Sequence, residues 1–82
     1  PPVVRYLVYP NPTTGSFTVR SSSVPITGLV LCDMEGRVVV QKTNLNTQFE
    51  IFDTNRLAPG CYLLEVHSSS GIHREKVVLQ SY

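Results

Sequence analysis

Apolar and polar residues alternate with period two along most of this chain, in short runs broken by clusters of Gly, Pro, Ser, Asn and Asp. No stretch keeps a 3.6-residue apolar period over three turns, so the pattern specifies strands and not helices. Strands are expected over residues 3–9, 16–20, 26–33, 37–42, 48–52, 61–67 and 72–79. Seven short strands separated by turn signals suit a small antiparallel β-sandwich. Because successive side chains of a strand point to opposite faces, the alternation also nominates a core: Leu7, Phe17, Val19, Leu29, Leu31, Val38, Val40, Phe49, Ile51, Leu57, Tyr62, Leu64, Val66, Val77 and Leu79.

Each joint has its own chemistry. Pro10 and Pro12 fix their own φ, lack a backbone donor and hold Tyr9 and Asn11 extended. Asn11 can bond its own backbone two residues on, and Gly15 tolerates a positive φ, so residues 10–15 read as a rigid, water-facing turn outside any central ladder. Asp33-Met34-Glu35-Gly36-Arg37 reads as a tight hairpin, opened by the aspartate and closed by Gly36 in the left-handed region. Residues 53–57 are expected to form one helical turn capped by Asp53 with Leu57 beneath it, followed by a type II turn at Pro59-Gly60. Ser68-Ser69-Ser70-Gly71 closes another hairpin, Ser21-Ser22-Ser23 is a loop, and Pro25 marks a strand entry or an edge.

Composition narrows the class. The 82 residues make one domain, 41% apolar and 16% charged, which is enough for a core and too apolar for a disordered tail. Seven basic and six acidic residues are scattered to a net charge of +1. No cationic stripe exists to release counterions, which argues against nucleic acid. No apolar run approaches the ~20 residues of a membrane-spanning helix, so no direct membrane insertion is expected. The chain opens Pro1-Pro2 without a methionine or an apolar signal segment. It reads as part of a longer precursor, with residues 1–2 the end of an upstream linker and 3–82 the domain. By strand parity Cys32 and Cys61 both face away from the core, which disfavours a disulfide through it and leaves a surface bridge open if their strands are neighbours.

A search for reaction chemistry finds little. His67 and His73 flank the 68–71 turn, and with Glu65 or Glu75 they would be the start of a metal site. The simpler reading places them as solvated residues on the outer face of a hairpin. The serine clusters have no oxyanion context, and the acidic residues lack the spacing of a calcium loop. Tyr6, Tyr9, Tyr62 and Tyr82 do not share a strand face, as a carbohydrate platform would require. No catalytic residue, cofactor or metal is assigned.

Four segments carry a resemblance. Val8-Tyr9-Pro10-Asn11-Pro12-Thr13-Thr14-Gly15 resembles the opening signature of the C-terminal sorting domains (type A) of the type IX secretion system. The run from Leu29 through Asp33, Gly36 and Arg37 to Val39 resembles that family's middle strand, acidic turn and following strand. Leu57-Ala58-Pro59-Gly60-Cys61-Tyr62-Leu63-Leu64-Glu65-Val66 resembles its Leu-x-x-Gly-x-Tyr-x-Leu-x-Val element, and residues 71–80 are similar to its terminal strand. Cys61 stands where the family more often has an aliphatic residue, and Cys32 where an aromatic is common.

The resemblance implies a seven-stranded immunoglobulin-like antiparallel sandwich that is not an enzyme. It acts as a secretion signal on a covalently attached N-terminal cargo, which can itself be an enzyme such as a secreted protease. Its implied partners are the outer-membrane translocon and a sortase-like peptidase that removes it at the surface. Its implied location is the periplasm in transit, then the cell surface or the medium. Recognition residues on this reading are Gly60, Tyr62, Gly71, Lys76, Val77, Val78 and Leu79, with Pro10, Asn11, Pro12, Gly15, Asp33, Gly36 and Arg37 forming the signature turns. The final strand would offer an edge or a releasable strand, with backbone pairing supplying affinity and Lys76 and the aliphatic residues specificity. An adhesion or spacer module of immunoglobulin type and an accessory carbohydrate-binding module are the competing readings.

Overall fold

The computed structural model describes residues 4–81. Pro1 and Pro2, expected to end an upstream linker, lie with Val3 and Tyr82 outside the described residues. Seven strands follow one another: β1 (Tyr6–Tyr9), β2 (Ser16–Ser21), β3 (Ile26–Asp33), β4 (Val38–Lys42), β5 (Phe49–Asp53), β6 (Gly60–Ser68) and β7 (Gly71–Leu79). They form a three-stranded sheet in the order β1-β2-β5 and a four-stranded sheet in the order β4-β3-β6-β7. Every pair within them is antiparallel. The two inner faces enclose Phe17, Val19, Ile26, Leu29, Leu31, Phe52, Tyr62, Leu64, Val66, Val77 and Leu79, giving the sandwich expected from the alternation in the immunoglobulin-like form that the resemblance implies.

Two strands show the opposite face to the one expected. In β5 it is Phe52 that is buried, and in β1 it is Tyr6 and Val8 that pack on the core, while Leu7, Phe49 and Ile51 are more than half exposed. The deciding contacts lie outside the strands. Phe52 sits opposite Phe17 in the ladder and stacks on it at 5.0 Å between centroids. Glu50 then turns inward to meet Lys42 Nζ at 2.7 Å, and that ammonium lies over the Phe52 ring. On the other side of the sandwich the Tyr6 ring stacks on His73 at 5.0 Å, and its hydroxyl bonds Ser68 Oγ at 2.7 Å. Val38 is also exposed, because the β3–β4 register shifts between Leu31 and Cys32 and sets Val38 opposite outward-facing Cys32. Ile26 is a core residue the alternation omits. Val40 and Leu57 pack partly buried against the core.

Most joints behave as expected. Asp33 Oδ1 accepts from the amides of Glu35 and Arg37, and Gly36 takes φ = 87°. Ser68 faces Gly71 (φ = 114°) across a two-residue turn. Residues 53–57 form no helical turn: Asp53 Oδ1 accepts from the Asn55 amide, and Leu57 N–H closes a β-turn on Thr54 C=O at 3.0 Å. Three residues later Gly60 opens β6 with φ = 149°, more extended than the ~+80° of a type II turn. Gly15 is not among the residues with positive φ. Cys32 and Cys61 are free thiols on neighbouring strands. Cys32 sits opposite Leu63, two residues along β6 from Cys61, a diagonal relation with Cβ atoms ~7 Å apart where a disulfide needs about 4 Å.

Candidate functional site

β7 is an edge strand. It pairs with β6 along nine residues, and among the described residues no strand lies beyond it in the sheet order. In an antiparallel pair every second residue directs its N–H and C=O away from the partner. Val78 belongs to that outward set, since its amide donates to Asn11 Oδ1 at 3.0 Å and its carbonyl accepts from the Thr13 amide at 3.0 Å. Ile72, Arg74 and Lys76 share its parity. Lys76 C=O accepts from Asn11 Nδ2 at 2.9 Å, and Gln80 N–H donates to Thr13 C=O at 2.8 Å. The C-terminal half of the β7 edge is therefore covered. Among the described residues no hydrogen bond reaches the outward backbone groups of Ile72 and Arg74.

The covering segment is the Pro-Asn-Pro turn, and its sequence explains its shape. Pro10 and Pro12 have no N–H to offer a ladder, and each is joined to the residue before it, Tyr9 or Asn11, by a cis peptide bond. Asn11 does not bond its own backbone, as the sequence alone suggested, but spends both ends of its carboxamide on β7. Nor does the whole turn face water: Thr13 is 2% exposed, with Oγ1 donating to Ser16 C=O at 2.8 Å and accepting from the Gly15 amide.

The residues nominated for recognition divide by face. Val77, Leu79 and Tyr62 are core residues. Tyr62 Oη donates to Ala58 C=O at 2.5 Å, the tyrosine corner of immunoglobulin-like sandwiches. Lys76 and Val78 stand on the outer face, Lys76 exposed and Val78 half-buried. Gly60 and Gly71 open β6 and β7. Asp33 lies level with Tyr62 and Val77 across β3, β6 and β7, so the 33–37 turn, the tyrosine corner and the Asn11 contact gather at one end of the four-stranded sheet. There Arg37 bonds Asp33 Oδ2 at 2.9 Å and Glu35 Oε1 at 3.0 Å. The Arg37 amide, then its guanidinium, holds the Asp33 carboxyl below the usual aspartate range.

The histidines do not pair. His67 lies on the outer face with Glu65 at 3.1 Å, whereas His73 sits opposite core residue Val66 and contacts Glu75 at 3.1 Å. This corrects the expectation that both are outer-face residues. Glu65 also accepts from Arg74 Nε at 3.0 Å, and the His67 bond, followed by the Arg74 bond, lowers its pKa. Among the described residues no three His, Cys, Asp or Glu side chains converge as metal ligands would. Sequence reasoning missed Tyr6 and Thr13. A threonine directly after Pro-Asn-Pro, where a backbone amide follows the second proline, is the signal that marks Thr13. Tyr6 becomes visible only once its strand parity is known.

No curated protein matches the chain. The family described as "Secretion system C-terminal sorting domain" matches residues 7–80, from β1 through the end of the Asn11 and Thr13 contacts on β7. With nearly its whole length covered and the four signature segments assembled on one sandwich, this chain belongs to the C-terminal sorting domains of the type IX secretion system, non-catalytic tails that direct an attached cargo to the cell surface or the medium.

Proposed function

We propose that this domain carries its N-terminal cargo from the periplasm through the type IX outer-membrane translocon by presenting β7 as the element the translocon reads, and that a sortase-like peptidase then separates it from the cargo at the surface. The observation that carries this reading is the edge position of β7, with the outward backbone groups of Ile72 and Arg74 unpaired among the described residues. An extended segment of the translocon adds there by backbone pairing, and Lys76 and Val78 on the outer face supply specificity. Tyr62, Val77 and Leu79 contribute by holding the strand rigid from the core side, and Gly60 and Gly71 by setting where β6 and β7 begin.

The test is a reporter fused in front of residues 1–82 in cells with a working type IX system. Deletion of residues 72–82 should abolish surface delivery. Arg74→Pro should reduce it strongly while the domain stays folded, because the lost N–H faces away from β6. Normal delivery of the Arg74→Pro fusion would overturn recognition by edge pairing.

A further inference from the structure

We propose that Asn11 and Thr13 form an intramolecular surrogate strand that terminates the docking edge of β7, so that a partner segment pairs with residues 72–76 and stops there. This rests on the reading that the secretion machinery binds β7.

The geometry of the four hydrogen bonds carries the inference. Thr13 donates to Val78 C=O and accepts from Gln80 N–H, the pattern of a residue in a parallel ladder centred on Leu79. Asn11 repeats that pattern two residues earlier with its side chain: Nδ2 donates to Lys76 C=O and Oδ1 accepts from Val78 N–H, centred on Val77. The carboxamide thus stands in for a peptide group, in step with the real one at Thr13. Flanking prolines keep the main chain itself from continuing the ladder toward β7's start. Among the described residues, what remains open is a run of five outward groups: the N–H and C=O of Ile72 and of Arg74, and the N–H of Lys76.

The surroundings of that run specify its occupant. A hollow of ≈ 270 Å³ lined by Val4, Tyr6, Ser70, Gly71, Ile72 and His73 adjoins its first residue and has room for one side chain. Lys76 stands exposed at its far end with no ion-pair partner among the described residues. The occupant is an extended polypeptide segment with a side chain seated in the hollow and a carboxylate facing Lys76.

The test uses the purified domain. Asn11→Ala should raise the hydrogen-exchange rate of the Val78 amide roughly tenfold and leave the Val77 amide, bonded to β6, unchanged. With the edge opened to its full length, the variant should self-associate in sedimentation as concentration rises. Adding Val78→Pro to Asn11→Ala should return it to monomer. Asn11→Asp keeps the acceptor for the Val78 amide and should keep its protection. Unchanged exchange at Val78 in Asn11→Ala, a monomeric Asn11→Ala at all concentrations, or association that survives Val78→Pro would each overturn the proposal. The two ideas fail separately: β7 recognition fails on export of the Arg74→Pro fusion, and the surrogate strand on these measurements of the isolated domain.

Discussion

The two sheets of this sandwich bury similar residues and differ in what they show to solvent. The outer face of β6 and β7 carries Glu65, His67, Arg74 and Lys76, with Glu65 joined to both His67 and Arg74. The outer face of β1-β2-β5 carries Leu7, Tyr9, Phe49 and Ile51 around Thr18 and Arg20, with Leu7 opposite Arg20 and Ile51 opposite Thr18. A strand with one polar face announces which way it points, and a strand with apolar residues on both faces does not. That is why the parity of β6 follows from its residues and that of β7 from its hairpin register with β6, whereas that of β1 and β5 depends on contacts made elsewhere.

The sharpest way to break this comparison is within β5. Phe52→Ala removes a ring stacked between the sheets and should lower stability by about 3–5 kcal/mol, enough to threaten a domain of this size. Phe49→Ala, three residues away on the solvent side, should stay within ~0.5 kcal/mol in urea unfolding. Equal effects of the two would mean β5 faces the other way. Next, Gly36→Val forces a branched side chain to φ = 87° with no neighbouring atom to relieve or worsen it, and should lose about 1–2 kcal/mol or more from left-handed strain alone. Its thermal midpoint measures that strain at the β3–β4 tip without touching the three-stranded sheet. Tyr62→Phe keeps the ring and deletes the bond to Ala58, a loss of ~1 kcal/mol by chemical denaturation.

The smallest effect is electrostatic and confined to the four-stranded sheet. Asp33 and Glu65 have folded pKa values below their ordinary 3.8 and 4.5. Their stabilisation is fully present above those ordinary values and is lost as pH falls through the lowered folded ones. Acid titration of the thermal midpoint should therefore flatten below pH 4 in an Asp33→Asn, Glu65→Gln double variant relative to the parent. Amides of β3, β4 and β6 should lose protection in acid before those of β2 and β5.

The sequence made the fold legible because its turns are chemically explicit. Asp33 with Gly36, and Ser68 with Gly71, each determine a hairpin from local residues alone. The inner faces of β2, β3, β6 and β7 follow from alternation. Two kinds of information were not local. The Tyr6 and His73 stack decides the parity of β1, and the Phe17 and Phe52 stack with the Lys42 and Glu50 pair that of β5, each through a residue on another strand. The role of Asn11 was hidden for the same reason: Pro-Asn-Pro reads as a self-contained turn until β7 is brought beside it. The signature residues were therefore found, while their partner was not.

Asn11 lies 65 residues in sequence from its acceptor, Lys76 C=O, and 67 from its donor, Val78 N–H. They fasten nearly the first turn of the domain to nearly its last strand, a closure among the slowest for a chain to find. A polypeptide emerging from its amino end has β1 and β2 available long before residue 78 arrives, and the sandwich stays incomplete in the interval. This clasp should form late: Asn11→Ala should speed unfolding in stopped-flow measurements and leave the refolding rate nearly unchanged. Completion of the sandwich therefore waits on residues 76–80, the stretch that makes these contacts.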